Sequence, residues 1–151
     1  GGAQQNRLVE LVSQVPGDLA DGRRFTGAVD AGHHDHSRPV CQVDALLADD
    51  VVFHSPVVHS PQQGKKLTAW YLAAAFRVFF NTNFHYVREI VGATDAMLEF
   101  ETEIDGVLVN GVDIIRWNET GRIVDFKVML RPLKAINLIQ QRMAAMLESG
   151  R

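Results

Sequence analysis

The polar side chains of this 151-residue chain whose types and spacing could do chemistry are few. One carboxylate, Asp113, sits inside an apolar run beside Val112, Ile114 and Ile115. A charge in that setting must face solvent, find a partner, or occupy a pocket where its protonation is shifted. In a pocket it can donate a proton when neutral and act as a base when ionised. The alternative is a structural acid bonded to a tyrosine or tryptophan. His33-His34-Asp35-His36 has two histidines three apart, a spacing that lets a helix present both to one metal. It lies between Gly32 and Pro39, where a regular helix does not persist, and no third and fourth ligand follow at recognisable spacing, so it reads as a solvated loop with no metal. Glu99, Glu101 and Glu103 alternate on one face of a strand and read as the solvated side of a half-buried sheet. His54 and His59 supply titrating groups near a pocket mouth, although alternation with Phe53 and Ser55 turns His54 away.

The elements that must position these groups follow from periodicity. Leu8, Leu11, Val12 and Val15 mark an amphipathic N-terminal helix within residues 1–20, stopped by Pro16-Gly17. Arg23 to Ala31 reads as a second helix with Phe25 and Val29 on one side. Pro39 to Ala48 reads as a third, broken by Asp49-Asp50, and Val51 to Ser55 as a strand. Residues 57–64 read as a loop. Lys65 to about Phe80 is a helix apolar on more than one side, hence largely buried, and it carries Trp70 and Tyr71. Phe84–Val91 and Ala96–Ile104 are strands, and Asp105-Gly106 turns the chain into Val107–Arg131, two long strands joined at Asn118 to Gly121. On the last strand Val124, Phe126, Val128 and Leu130 share one face, with Asp125, Lys127 and Arg131 on the other. Residues 133–148 form a C-terminal amphipathic helix. This order predicts one α+β domain over residues 1–151: a curved antiparallel sheet wrapped around a long helix as a conical barrel with an internal cavity.

Composition narrows the function. The net charge of −3 with scattered basic residues lacks the footprint of a nucleic-acid binder. No run approaches the roughly 20 apolar residues of a membrane span. The lone Cys41 allows no intrachain disulfide, and no leader is visible, so the expectation is a cytoplasmic protein.

The runs LLADDVVFHSPVVHSPQQGKKLTAWY and GVDIIRWNETGRIVDFKVMLRP resemble the SnoaL-like and ketosteroid-isomerase-like group of the nuclear transport factor 2-like superfamily. The resemblance covers about Arg23 to Leu133, with the His-rich loop 33–38 as an insertion. It implies a deep apolar pocket in the cone and a homodimer formed through the sheet. Against the ketosteroid isomerases, Phe25 occupies the place of the oxyanion-hole tyrosine, and Ser55 the place of the general-base aspartate. Asp113 alone matches, standing where the family's oxyanion-hole aspartic acid stands. Steroid isomerisation by that route is therefore not expected. Against the limonene epoxide hydrolases, Val128 replaces the last-strand aspartate.

The resulting expectation is cofactor-free acid–base chemistry of the isomerase, cyclase, dehydratase or epoxide-hydrolase type on a small apolar metabolite, with Asp113 as the catalytic residue. The pocket is expected to be lined by Phe25, Phe53, Ser55, Trp70, Tyr71, Phe100, Val109, Ile115, Phe126, Val128 and Leu130. The alternative is a non-catalytic protein that encloses a hydrophobic ligand, or an association domain.

Overall fold

The computed structural model describes residues 44–79 and 83–149. The two expected N-terminal helices, Phe25 and the His-rich loop lie outside the described residues. The elements run β1 (Leu47–His54), β2 (Gln62–Gln63), α1 (Lys65–Phe79), β3 (His85–Val91), β4 (Asp95–Ile104), β5 (Val107–Trp117), β6 (Ile123–Arg131) and α2 (Leu133–Ser149). The strands form one curved, unclosed sheet in the order β2-β1-β6-β5-β4-β3.

Local chemistry explains the connections. Asp105 and Gly106 both take positive φ, 52° and 75°, as a two-residue hairpin with the right twist requires. The β5–β6 turn is held by Asn118, whose Oδ1 accepts the backbone N–H groups of Thr120 and Arg122, with Gly121 at positive φ. Helix α1 lies on the inner face of the sheet, and the buried Thr102 hydroxyl donates to the Phe79 carbonyl at 3.3 Å, tying the end of α1 to β4. Helix α2 buries Ala135, Ile139 and Met143 against the same assembly, while Arg142 pairs with Asp105 at the β4–β5 turn. Two apolar clusters fill the interior, and Tyr71, Tyr86 and Leu130 touch both.

The structure corrects the reading in four places. Only residues 44–46 of the expected third helix are helical within the described part. From Leu47 the chain is strand, because Leu47 pairs with Ile123 and both are buried, so tertiary burial outweighs helix propensity. The expected 57–64 loop contains β2, which adds Gln62 and Gln63 to the edge of β1. The sheet is not wholly antiparallel, since β1 runs parallel to β6 while β3 to β6 form the antiparallel meander. Finally, a bulge opposite Arg116 and Trp117 breaks the alternation of β6: Ile123 goes into the core, and Val124 is only half-buried.

Candidate active site

Asp113 is held by the middle of β5, flanked by Leu98 of β4 and Val128 of β6 in one lateral row. Alternation sends it to the inner face with Val109, Gly111, Ile115 and Trp117, all buried. Helix α1 crosses above and contributes Leu72, Ala75, Phe76 and Phe79. With Phe84, Phe100, Phe126 and Val128 from the sheet side, they line a cavity of about 30 Å³, and among the described residues Asp113 is its one ionisable lining group. That volume has room for a water molecule or so. The aromatic wall is tightly built: Phe100 stacks on Phe84 at 5.2 Å and meets Phe79 edge-on at 5.7 Å. Gly111 makes this possible, because a Cβ there would run into the Phe100 ring and come within 2.7 Å of Leu130 Cδ2.

The Asp113 side chain borders the cavity and is half-buried. Among the described residues none donates a hydrogen bond to it. Burial pushes its pKa up to about 7, since desolvation penalises the charged form and no positive group among the described residues offsets the penalty. The carboxyl is thus poised between donor and base at neutral pH. Tyr86, also on the inner side, is driven above the usual phenol range by burial first, then by the charges of Asp113 and Glu89.

Of the expected pocket residues, Phe100, Phe126 and Val128 line the cavity with Asp113. Phe53 and Tyr71 stand behind it, their rings 5.9 Å apart, with Phe53 6.1 Å from Phe126. Val109 and Ile115 share the face of Asp113 but are sealed into the core, and Leu130 covers Gly111. Trp70 packs edge-on against Tyr71 and does not reach the cavity lining. Ser55 follows the last residue of β1, its hydroxyl accepts the Val57 N–H at 3.2 Å, and it lines a separate groove with His59, Lys127, Val128 and Leu130. The residues that sequence reasoning left out are Leu72, Ala75, Phe76, Phe79, Phe84 and Tyr86. The two-residue spacing of Phe84 and Tyr86 carried a signal, because alternation sends both inward.

The outer face handles charge differently. His54 Nε2 donates to Asp125 Oδ2 at 3.0 Å, and both side chains are 28% exposed. Glu99 is not simply solvated: Asn110 donates to it at 3.1 Å and Arg88 lies 3.4 Å away. His59 is exposed beside the groove of about 470 Å³ that also contains His54 and Lys127. Among the described residues no three His, Cys, Asp or Glu side chains are grouped to hold a metal, and no helix is long and apolar enough to cross a membrane.

Residues 23–126 match the SnoaL-like domain family. Among solved structures, the chain is similar to a steroid Δ-isomerase from Pseudomonas aeruginosa, with 28% identity over 93% of this chain and 91% of that one and a TM-score of 0.73. It is also similar to an uncharacterised protein with a cystatin-like fold from Silicibacter pomeroyi, with 33% identity over 73% and 77% of the two chains and a TM-score of 0.67. An NTF2-like protein from Burkholderia xenovorans shares the fold at 11% identity, over 84% of each chain, with a TM-score of 0.58. No curated protein matches the chain.

Proposed function

Because the chain belongs to the SnoaL-like domain family, we propose that it is a small isomerase-type enzyme that performs acid–base chemistry on an apolar metabolite without a cofactor. The observation that carries this reading is the Asp113 carboxyl, enclosed by phenylalanines and raised to about 7 by desolvation alone. A carboxylic acid kept neutral by an apolar site donates a hydrogen bond to a carbonyl or ether oxygen, and after ionising it takes a proton back. The likeness to the Pseudomonas steroid Δ-isomerase supports proton transfer as the reaction type. The Ser55 hydroxyl accepts the Val57 N–H beside a separate groove and is not among the residues that line the Asp113 cavity. Among the described residues of the cavity lining, the one group available to move a proton is the Asp113 carboxyl.

The test is a pH titration of the Asp113 side-chain carbon by NMR, assigned with Asp113→Asn, followed by turnover assays on enones, lactones and epoxides. A midpoint near 7 with turnover abolished in Asp113→Asn supports the enzyme. A midpoint near the reference value of about 3.9 overturns it.

A second reading, a binding protein, draws on the absence of any other ionisable lining group among the described residues. It predicts ligand affinity that survives Asp113→Asn, with no turnover by the parent. Either reading is compatible with a homodimer formed through the outer sheet face. There Ile90 and Met129 are 56% and 55% exposed beside Met97 and Val112, and Arg88, Arg131 and Glu99 supply both signs of charge for a self-complementary contact. Sedimentation of the parent against Met129→Glu checks that arrangement.

A further inference from the structure

Strand β1 ends at His54, which pairs with Lys127, while β6 runs on to Arg131. Beyond Lys127, among the described residues, no strand covers β6 on that side, and the loop of residues 55–61 leaves a groove of about 470 Å³ over the gap. Local chemistry ties this loop at both ends. The Ser55 hydroxyl accepts the Val57 N–H at 3.2 Å, and Pro56 and Pro61 restrict their own φ angles. Gln62, paired with Phe53 of β1, donates through its side chain to the Ser60 carbonyl at 2.9 Å. His59 is carried between these ties, so the groove is largely preformed.

The polar groups that line it share one character. Lys127 offers an ammonium group, His59 an imidazole N–H and Ser55 a hydroxyl proton, and among the described residues none of the three donates to an acceptor. No carboxylate among the described residues lines the groove. Asp125 stands two residues before Lys127 on the same face of β6, but it is committed to His54 Nε2 at 3.0 Å. That bond orients the His54 ring as part of the wall and leaves the Lys127 charge unanswered. Apolar surface lies beside these donors: Val58 and Met129 line the same groove and are 40% and 55% exposed.

We propose that this groove is a second binding site, separate from the Asp113 cavity, for a small organic anion that carries one carboxylate or phosphate group on a short apolar body. The anionic oxygens accept charge-assisted hydrogen bonds from Lys127, His59 and Ser55, and the body takes Val58 and Met129 out of water. A neutral ligand of the same shape leaves the ammonium without its counter-charge, and a bare inorganic anion leaves the apolar wall wet. Val128 lines both the groove and the Asp113 cavity, so the two sites adjoin, yet binding in the groove does not require Asp113 to be catalytic.

The experiment is calorimetric titration of the full chain with hexanoate, hexyl phosphate, 1-hexanol and inorganic phosphate, with backbone-amide NMR to locate the contact. Saturable binding of hexanoate or hexyl phosphate is expected, with shifts at the amides of residues 54–61 and 127–130, and the tighter of the two identifies the headgroup. 1-Hexanol and inorganic phosphate are each expected to bind about tenfold more weakly or worse. Lys127→Gln is expected to weaken the organic anion by about tenfold and His59→Gln by less. Lys134→Gln, which removes an exposed charge on α2 outside the groove, leaves the affinity unchanged. Failure of both organic anions to saturate overturns the site, as does equal weakening in Lys127→Gln and Lys134→Gln. Equal affinity for 1-hexanol overturns it as well, because apolar contact alone would then hold the ligand. If Lys127→Gln does not fold, His59→Gln on the exposed loop decides, and an unaltered affinity there overturns the proposal.

Discussion

Asp113 and Asp125 sit on adjacent antiparallel strands, on opposite faces of one sheet, and their surroundings could hardly differ more. Asp125 faces outward, 28% exposed, with the His54 imidazole 3.0 Å away. Asp113 faces inward, with phenylalanine on several sides and no hydrogen-bond donor among the described residues. The same contrast holds across the faces as a whole. Glu99 outside is bonded by Asn110 and flanked by Arg88, whereas the hydroxyl of Thr102 inside is committed to a helix carbonyl. A carboxylate on the outer face is compensated at once, by partner or by water. On the inner face, among the described residues, the relief open to Asp113 is protonation. The difference teaches that β5 and β6 present an ordinary charged surface to one side and a tuned acid to the other, with the two-residue period doing the sorting.

The sharpest way to break this contrast is to dismantle the inner wall. Phe100→Ala removes a ring packed between Phe79 and Phe84 and is expected to cost about 3–5 kcal/mol, read by chemical denaturation. It should also admit water and bring the Asp113 midpoint down toward its ordinary range. The next effect is the pH dependence of stability itself. The folded pKa of Asp113 is raised, so between about pH 4 and pH 7 the unfolded chain has lost the proton that the folded chain still holds. Stability therefore falls as pH rises through that window and levels off above it, by on the order of a few kcal/mol. Asp113→Asn should abolish the slope. A flat profile in the parent, measured by denaturation from pH 4 to pH 8, would mean that the inner carboxyl is compensated after all.

The legible part of this contrast was the part written in local alternation. Asp113 among Val112, Ile114 and Ile115 gave its face directly, and the hairpin at Asp105-Gly106 gave the pairing of β4 with β5. Long-range pairing was not legible. The parallel match of Leu47 with Ile123 lies 76 residues away in sequence, so Leu47 and Ala48 read as a continuation of the helical stripe of Val43 and Leu46. The β6 bulge was hidden for a related reason, because an extra residue in one strand shows only against its partner. At the site, the aromatic wall comes from α1, β4, β6 and the segment entering β3. Periodicity marked Phe76, Phe79 and Phe84 as apolar but could not show that they meet over one carboxyl. Ser55 lines a groove beside His59 and not the Asp113 cavity, because the strand ends at His54 and alternation no longer governs the next position.

Smaller effects sharpen the comparison from each side. Gly111→Ala adds a methyl against the Phe100 ring and Leu130 and is expected to cost about 1–3 kcal/mol by overpacking. Because that methyl pushes the ring, it should also disturb the Asp113 titration, which distinguishes it from a generic core lesion. On the outer face, Asp125→Asn removes a partly exposed ion pair, and its cost should stay below about 1 kcal/mol and shrink further in high salt. Its more telling readout is the inner face. If water and His54 compensate Asp125 locally, the Asp113 midpoint measured in Asp125→Asn should equal that of the parent, although the two carboxyls lie on paired strands of one sheet. A shifted midpoint would mean that charge on the outer face is felt through the sheet. The tuning of Asp113 would then belong to both faces and not to the phenylalanine wall alone.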